Sequence, residues 1–338
     1  MITFLTKKNL LYVSIILFLA GFWFVSSAIT HAQSFGGVAG TGVQIEFNPK
    51  HPRPGDVVTI EATGYSYDMY RSNYGWYVNG ELAEEGVGKR TFSLRAGPLG
   101  SRTLVQLMIN TDRGTIVQRD FEIVPAVVAI TWQGNTYVPP LYKGLPQHTP
   151  SSAVTFVAVP SLHNRAGERI PAADLVYTWK QGNRVLQDVS GIGRQSIIVP
   201  NERFTRSLSL TVEVSTFDRS QVASHTVTVP TQDPRFLLYQ VDPLLGVLYN
   251  QALTDEFLIQ SEETSLVAEP YNFSIINRDS TLLSYEWKVD NAPIVAQSVV
   301  TLRPSEGNTG FSRLNLVGRH TTSFMQSARS DLTIRYGE

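Results

Sequence analysis

The chain has 338 residues, 42% hydrophobic and 17% charged, with a formal net charge of -1 and no cysteine. This balance suits core-forming globular domains and offers neither a basic field for nucleic acid nor an acidic run for a basic partner. The missing cysteine excludes disulfides, thiolate zinc sites and cysteine nucleophiles, so each domain must stand on its hydrophobic core.

Lys7 and Lys8 precede an apolar run from Leu10 to Val25, and Ser26-Ser27-Ala28 and Thr30-His31-Ala32 follow it. A positive stretch, an apolar stretch and small residues at a cleavage point make residues 1–32 an export signal. Cleavage after Ala32 leaves Gln33 first; cleavage after Ala28 is the neighbouring choice. The alternative is an uncleaved anchor. Residues 10–29 are long enough as a hydrophobic helix to cross a bilayer core of about 30 Å, and Lys7 and Lys8 hold the N-terminus inside. Both readings put the remainder outside, either secreted or anchored on the outer side of the cytoplasmic membrane. Residues 33–41 read as a Gly-rich linker. The run Gly37-Val-Ala-Gly40-Thr-Gly42 lacks the preceding strand and following helix that a phosphate-cradling loop needs.

Beyond the linker, one pattern recurs. Tyr74-Gly75-Trp76, Tyr177-Thr178-Trp179 and Tyr285-Glu286-Trp287 lie 103 and 108 residues apart, about one β-sandwich domain. Before each stands a short β-branched run: Val57–Ala62, Ala153–Ala158 and Ser265–Ala268. After each come turn pairs, Asn79-Gly80, Gly182-Asn183 and Asp290-Asn291, suited to positive φ. Further strands are expected at Thr91–Leu94, Ser196–Val199 and Ser298–Leu302. Alternating strands follow with Leu104, Leu208 and Leu314 in register, 28, 29 and 27 residues after their tryptophans. Closing strands run over Asp120–Val124, His225–Val229 and Asp331–Tyr336, the first two ended by Pro125 and Pro230. No sustained helical period occurs outside the signal. The expectation is an all-β chain of three tandem antiparallel sandwiches at residues 42–125, 126–230 and 231–338, each of six or seven strands, after the N-terminal hydrophobic helix.

The Tyr-x-Trp segment, its turn and the alternating strand resemble the PKD and bacterial Ig-like families of extracellular β-sandwich modules, over residues 42–338. The turns here are Tyr77-Val-Asn-Gly80, Lys180-Gln-Gly-Asn183 and Lys288-Val-Asp-Asn291, which keep the turn chemistry with few acidic residues. The resemblance implies an exported spacer, adhesive or recognition module.

Trp76, Trp179 and Trp287 are expected in the cores, since a mid-strand tryptophan packs between sheets. The segment from Tyr65 to Tyr74 bridges two strands at one end of the first sandwich, where Ig-like domains carry recognition loops. Tyr65, Tyr67 and Tyr70 are therefore the candidate ligand-binding residues. His31, His51, His148, His163, His225 and His320 are scattered, so no metal site is expected. The pairs Glu84-Glu85 and Glu262-Glu263 sit at turns or strand edges, where solvated charge blunts edge pairing. No nucleophile elbow, zinc-protease or Walker motif occurs, and neither catalytic residues nor a cofactor are expected. The apolar segment Tyr239–Tyr249 is expected to cover the joint between the second and third modules or to present a partner surface. Asn272-Phe-Ser274 has the form of an N-glycosylation acceptor.

These features lead to a non-enzymatic cell-envelope protein for structural display, adhesion or binding. Its partner would be a cell-surface protein or polysaccharide, with the membrane as a further contact through residues 10–29 if the signal is uncleaved. A noncatalytic carbohydrate-binding chain that assists a separate enzyme is the second reading, and a surface hydrolase the third.

Overall fold

A computed structural model describes residues 42–66, 68–200, 206–305 and 307–337. The signal or anchor at 1–32, the linker at 33–41 and Tyr67 lie outside the described residues.

The first module contains β1 (Val43–Asn48), β2 (Val57–Gly64), β3 (Asn73–Val78), β4 (Glu81–Val87), β5 (Thr91–Arg95), β6 (Thr103–Asn110) and β7 (Ile116–Ile123). A sheet ordered β1-β2-β5 packs on one ordered β4-β3-β6-β7. The second contains β8 (Val127–Gly134), β9 (Val154–Ser161), β10 (Val176–Gln181), β11 (Arg184–Val185), β12 (Gly191–Ile192), β13 (Ser196–Val199), β14 (Ser207–Ser215) and β15 (Val222–Pro230). Its sheets are β13-β9-β8 and β11-β10-β14-β15, with β12 beside β10. The third contains β16 (Arg235–Asp242), β17 (Gly246–Val247), β18 (Glu256–Ile259), β19 (Thr264–Tyr271), β20 (Leu283–Val289), β21 (Ala292–Ile294), β22 (Val299–Leu302), β23 (Gly310–His320) and β24 (Ser327–Tyr336). Its sheets are β17-β16-β19-β22 and β18-β24-β23-β20-β21. The chain is a tandem array of three β-sandwiches, each closed around its own apolar cluster.

Each cluster is built around the Tyr-x-Trp pair. Side chains two apart on a strand share a face, so the tyrosine and tryptophan both turn inward. Trp76, Trp179 and Trp287 are fully buried. Each indole N–H donates to a main-chain carbonyl between the sheets: Lys89 at 2.9 Å, Arg194 at 2.9 Å and Gln297 at 2.7 Å. Each tyrosine hydroxyl donates backward to the loop just before its strand: to the carbonyls of Met69 at 2.9 Å, Ala172 at 2.9 Å and Arg278 at 2.6 Å. A buried polar tip without such a partner is costly.

The turn after the tryptophan strand is closed by its own residues. Asn79 and Gly80 have φ of 51° and 88°, Asp290 and Asn291 have 47° and 71°, as a type I′ hairpin turn requires. Asn79 Oδ1 accepts from Leu104 N at 3.0 Å, and Asp290 Oδ1 from Arg313 N at 2.8 Å. The same side-chain oxygen thus ties the hairpin to the neighbouring strand in two modules.

Three expectations need correction. The second and third modules contain eight and nine strands among the described residues, against an expected six or seven; β1, β8 and β16, ahead of the β-branched runs, pair with β2, β9 and β19. The third sandwich is not wholly antiparallel. Its first strand is divided, and β18 runs parallel to β24, covering the edge that the ten-residue β24 would otherwise expose. The leucine register also differs. The residues opposite Trp76, Trp179 and Trp287 are Leu107, Val212 and Leu316, and Leu104 is 55% exposed. Leu104 and Val105 are adjacent apolar residues of opposite facing, and the phase of Val105, Leu107 and Ile109 is the buried one.

The joint between the second and third modules is tightly bonded. The connection from β8 to β9 lies against the third module: Tyr137 N donates to Phe273 O at 2.8 Å, and Tyr137 Oη donates to Glu269 Oε1 at 2.6 Å. Gln326 is fully buried and donates through Nε2 to Pro150 O at 2.8 Å and Ser274 Oγ at 2.9 Å. His148 is fully buried beside Ser152, with Nδ1 and Oγ hydrogen-bonded at 2.9 Å, and its carbonyl accepts from Gln232 N at 2.7 Å. Tyr239 and Tyr249 pack into a small cluster with Tyr271 and Val267 on the outer face of β16 and β19. The far end of that segment, Leu244-Leu245, is an exposed hairpin tip capped by Asp242 Oδ1, which accepts from both backbone amides at 2.8 Å.

Truncating one tryptophan opens a large cavity in one core. Trp179→Ala is expected to lower the stability of the second module by roughly 3–5 kcal/mol, read as an earlier denaturant transition for that module. Burial holds His148 and His51 below the ordinary imidazole pKa of 6.5. Both are therefore neutral in the fold and take up protons on unfolding at lower pH. The melting temperature is expected to fall as pH drops through 6.5 toward the depressed folded values, and the slope to flatten in His148→Gln, as thermal melts across pH will read.

Candidate functional site

The β2–β3 connection begins where β2 ends at Gly64. Asp68 opens a tight turn in it: Oδ1 accepts from Tyr70 N at 3.0 Å, and the Asp68 carbonyl accepts from Ser72 N at 3.1 Å and Ser72 Oγ at 2.8 Å. Met69 is buried and fastened by the Tyr74 hydroxyl. Burial raises that hydroxyl's pKa to about 12, so it stays a donor. With Met69 turned in, its neighbour Tyr70 is turned out.

Tyr65 is 99% exposed and Tyr70 is 70% exposed. They border one open hollow of about 320 Å³, whose wall also includes Thr63, Asp68 and Arg90. The Arg90 guanidinium lies over the Tyr70 ring, 4.5 Å from its centroid, a favourable cation–π contact. Its main chain is held on both sides: Arg90 O accepts from Ala62 N at 2.9 Å, and the preceding Lys89 O accepts from the Trp76 indole. Tyr67 lies outside the described residues. The structure thus brings two of the three proposed tyrosines to one hollow and adds Asp68 and Arg90, which sequence reasoning missed. The signal for Arg90 was its place just after Gly86 and Gly88, both at positive φ, where a hairpin returns the chain to the tyrosine loop.

The hollow occupies the end of the first module where the described chain enters. Val43 pairs with Gly64 across β1 and β2. The opposite end meets the second module, with Ala126 N donating to Pro52 O at 3.3 Å.

The other candidates are placed as follows. Glu84 and Glu85 are consecutive on the edge strand β4 and so face opposite sides. Glu84 pairs with Lys89 at 2.8 Å, and Glu85 accepts from Asn73 Nδ2 at 3.1 Å. Glu262 and Glu263 are exposed in a turn, and Glu263 pairs with Arg303. Among the described residues, no group of three or more His, Cys, Asp or Glu is placed to hold a metal ion. No helix among them is long and apolar enough to cross a membrane. Asn272 is half-buried at the joint, and its Nδ2 donates to Asp233 O at 3.1 Å.

One charged constellation went unnoticed in the sequence. Glu269 is fully buried. It accepts from Arg278 Nη1 at 3.1 Å, Tyr249 Oη at 3.1 Å and Tyr137 Oη at 2.6 Å. The pKa of Tyr137 is raised, first by burial and then by its hydrogen bond to Glu269. A lone acidic residue inside the apolar run Leu266-Val-Ala-Glu269-Pro-Tyr271 was the available signal.

No protein-family model matches the chain, and no curated protein matches it in sequence. Solved structures resemble it in fold. The three N-terminal domains of the outer capsid protein Hoc of bacteriophage RB49 are 14% identical, with 88% of this chain and 99% of that chain covered and a TM-score of 0.26. The central fibronectin-III array of RIM-binding protein is 10% identical, with 89% and 99% covered and a TM-score of 0.30. The SGBP-B protein of a Bacteroides ovatus mixed-linkage glucan utilization locus, solved with a heptasaccharide, is 9% identical, with 84% and 64% covered and a TM-score of 0.21. These likenesses concern fold alone.

The buried and exposed sites should respond oppositely to truncation. Arg278→Met leaves the Glu269 charge buried with only neutral donors and is expected to cost roughly 3–5 kcal/mol. Tyr70→Ala, at an exposed site, is expected to stay within about 0.5 kcal/mol of the parent. Equilibrium denaturation of the two variants beside the parent measures both.

Proposed function

We propose that this chain is an exported, non-enzymatic envelope protein that displays three sandwich modules and binds a cell-surface polymer or protein through the tip of the first. The observation that carries this reading is the pair Tyr65 and Tyr70, both exposed at one hollow, with the Arg90 guanidinium over the Tyr70 ring. Exposed tyrosines present flat, rigid contact area at low entropic cost. Arg90 supplies N–H donors to hydroxyl or carboxylate groups. Glu84, Glu85 and Glu263 are engaged by Lys89, Asn73 and Arg303, and Glu269 by the joint, which favours binding over catalysis.

The proposed units are residues 42–125, 126–230 and 231–338, after an export segment at 1–32 and a linker at 33–41. Cleavage after Ala32 makes the tyrosine tip a free end of the array. Retention of residues 10–29 in the membrane keeps that tip within at most about 45 Å of the bilayer, the extended reach of the residues between.

The test is retention of residues 33–338 on intact cells and on isolated surface polysaccharide. The expected result is capture by the parent and at least tenfold weaker capture, about 1.4 kcal/mol, by the double variant Tyr65→Ala, Tyr70→Ala at unchanged melting temperature. Equal capture by both proteins removes the tip from the proposal. N-terminal sequencing of the exported chain is expected to read Gln33 or Ile29 if the signal is cleaved and Met1 if it is retained.

A further inference from the structure

A second hollow lies where the β8–β9 connection crosses the third module. It measures about 260 Å³ and is lined by Tyr142, Gln147, Gln232, Asp233, Arg235 and Asn272, with the Tyr271 ring beneath them. Tyr271 is almost fully buried. The Tyr142 ring meets it edge-on at 5.9 Å, and the Arg235 guanidinium lies 5.2 Å over its face. Tyr142 itself remains 39% exposed.

The lining has a particular chemistry. Each of the three amide side chains carries both donors and an acceptor. The Gln147 amide donates to Leu145 O at 2.8 Å and the Asn272 amide to Asp233 O at 3.1 Å. Each of these bonds uses one N–H and leaves the amide oxygen and the second N–H for a ligand. The Asp233 carboxylate accepts only, and Arg235 donates only. Their charges sum to zero, so the lining carries no net charge that would draw in an anion or a cation. A neutral group with donors and acceptors around its rim and an apolar face for Tyr142 suits it. A pyranose ring has these properties. The volume is below the roughly 300–1,000 Å³ of pockets for drug-sized ligands, which fits a single ring.

The walls come from two modules, yet they are already fixed relative to each other. Tyr137 from the second module donates to the buried Glu269 of the third, which Arg278 neutralises. The Gln326 amide and the His148 carbonyl add bonds across the same joint. A ligand therefore meets a hollow whose ordering cost has been met by folding.

We propose that this joint hollow is a binding site for a neutral saccharide ring, distinct from the tyrosine tip of the first module and independent of it. The direct test is titration of residues 33–338 with cellotetraose, maltotetraose and xylotetraose at millimolar concentration, followed by calorimetry or protein-observed NMR. Charged polygalacturonate is the comparison. At least one neutral saccharide is expected to bind saturably. Affinity is expected to drop about tenfold in Tyr142→Ala and in Gln232→Ala, and to stay at the parent value in Tyr65→Ala, Tyr70→Ala. Gln232 is exposed, so its variant keeps the test valid should Tyr142→Ala lose its fold. The proposal is overturned by no response to any neutral saccharide, by binding of polygalacturonate alone, or by affinity unchanged in a folded Gln232→Ala. Loss of binding only in the tip variant would likewise overturn it, while leaving the tip reading intact.

Discussion

Each sandwich depends on a tryptophan that is buried whole and still has to place one N–H. The indole offers a large apolar body for the space between two sheets and a single donor that cannot be left there unpaired. In all three modules that donor reaches a main-chain carbonyl ten to fifteen residues later in the chain. The tyrosine two residues earlier reaches in the other direction, to the loop before the strand. One dipeptide spacing thus fastens the segment before the central strand and the segment facing it. The hydrophobic clusters are arranged around this fastening, and the position of each loop follows from it.

The fastening differs in its consequences from module to module. In the first, Tyr74 holds Met69, and Met69 turned inward leaves Tyr70 facing outward beside Arg90. The exposure of the tip therefore follows from the burial of its neighbour. In the third, Tyr285 holds the main chain of Arg278, whose side chain neutralises Glu269. Glu269 in turn receives Tyr137 from the preceding module. A bond that merely positions a loop in one module supports the joint to its neighbour in another.

A fully buried carboxylate is a poor way to gain stability, since apolar packing of equal volume commonly does as well. It is directional, however. Three donors must arrive at its two oxygens from a hairpin, a loop and another module. That geometry selects one arrangement of the second module on the third, where apolar surface alone would permit sliding. The same selection holds the hollow beside Tyr142 open, because its two walls cannot drift independently.

The recurrence of Tyr-x-Trp, the turn pairs after it and the alternation of the following strands determined the all-β class, the three sandwiches and the tyrosine loop at one end. Such features are local, since parity along a strand and positive φ in a turn depend on adjacent residues. Locality also limited the reading. Leu104-Val105 is apolar in both phases of a strand, and only pairing with β3 decides which one is buried. The division of the first strand that places β18 against β24 depends on an edge that exists only in the assembled sheet. Arg90 meets Tyr70 because a hairpin folds back between them. Tyr137 stands 132 residues from the Glu269 it reaches, and a single acidic residue in an apolar run does not name its donors. The tertiary structure alone decided those meetings, because a buried charge is satisfied by whatever the fold brings within hydrogen-bond reach.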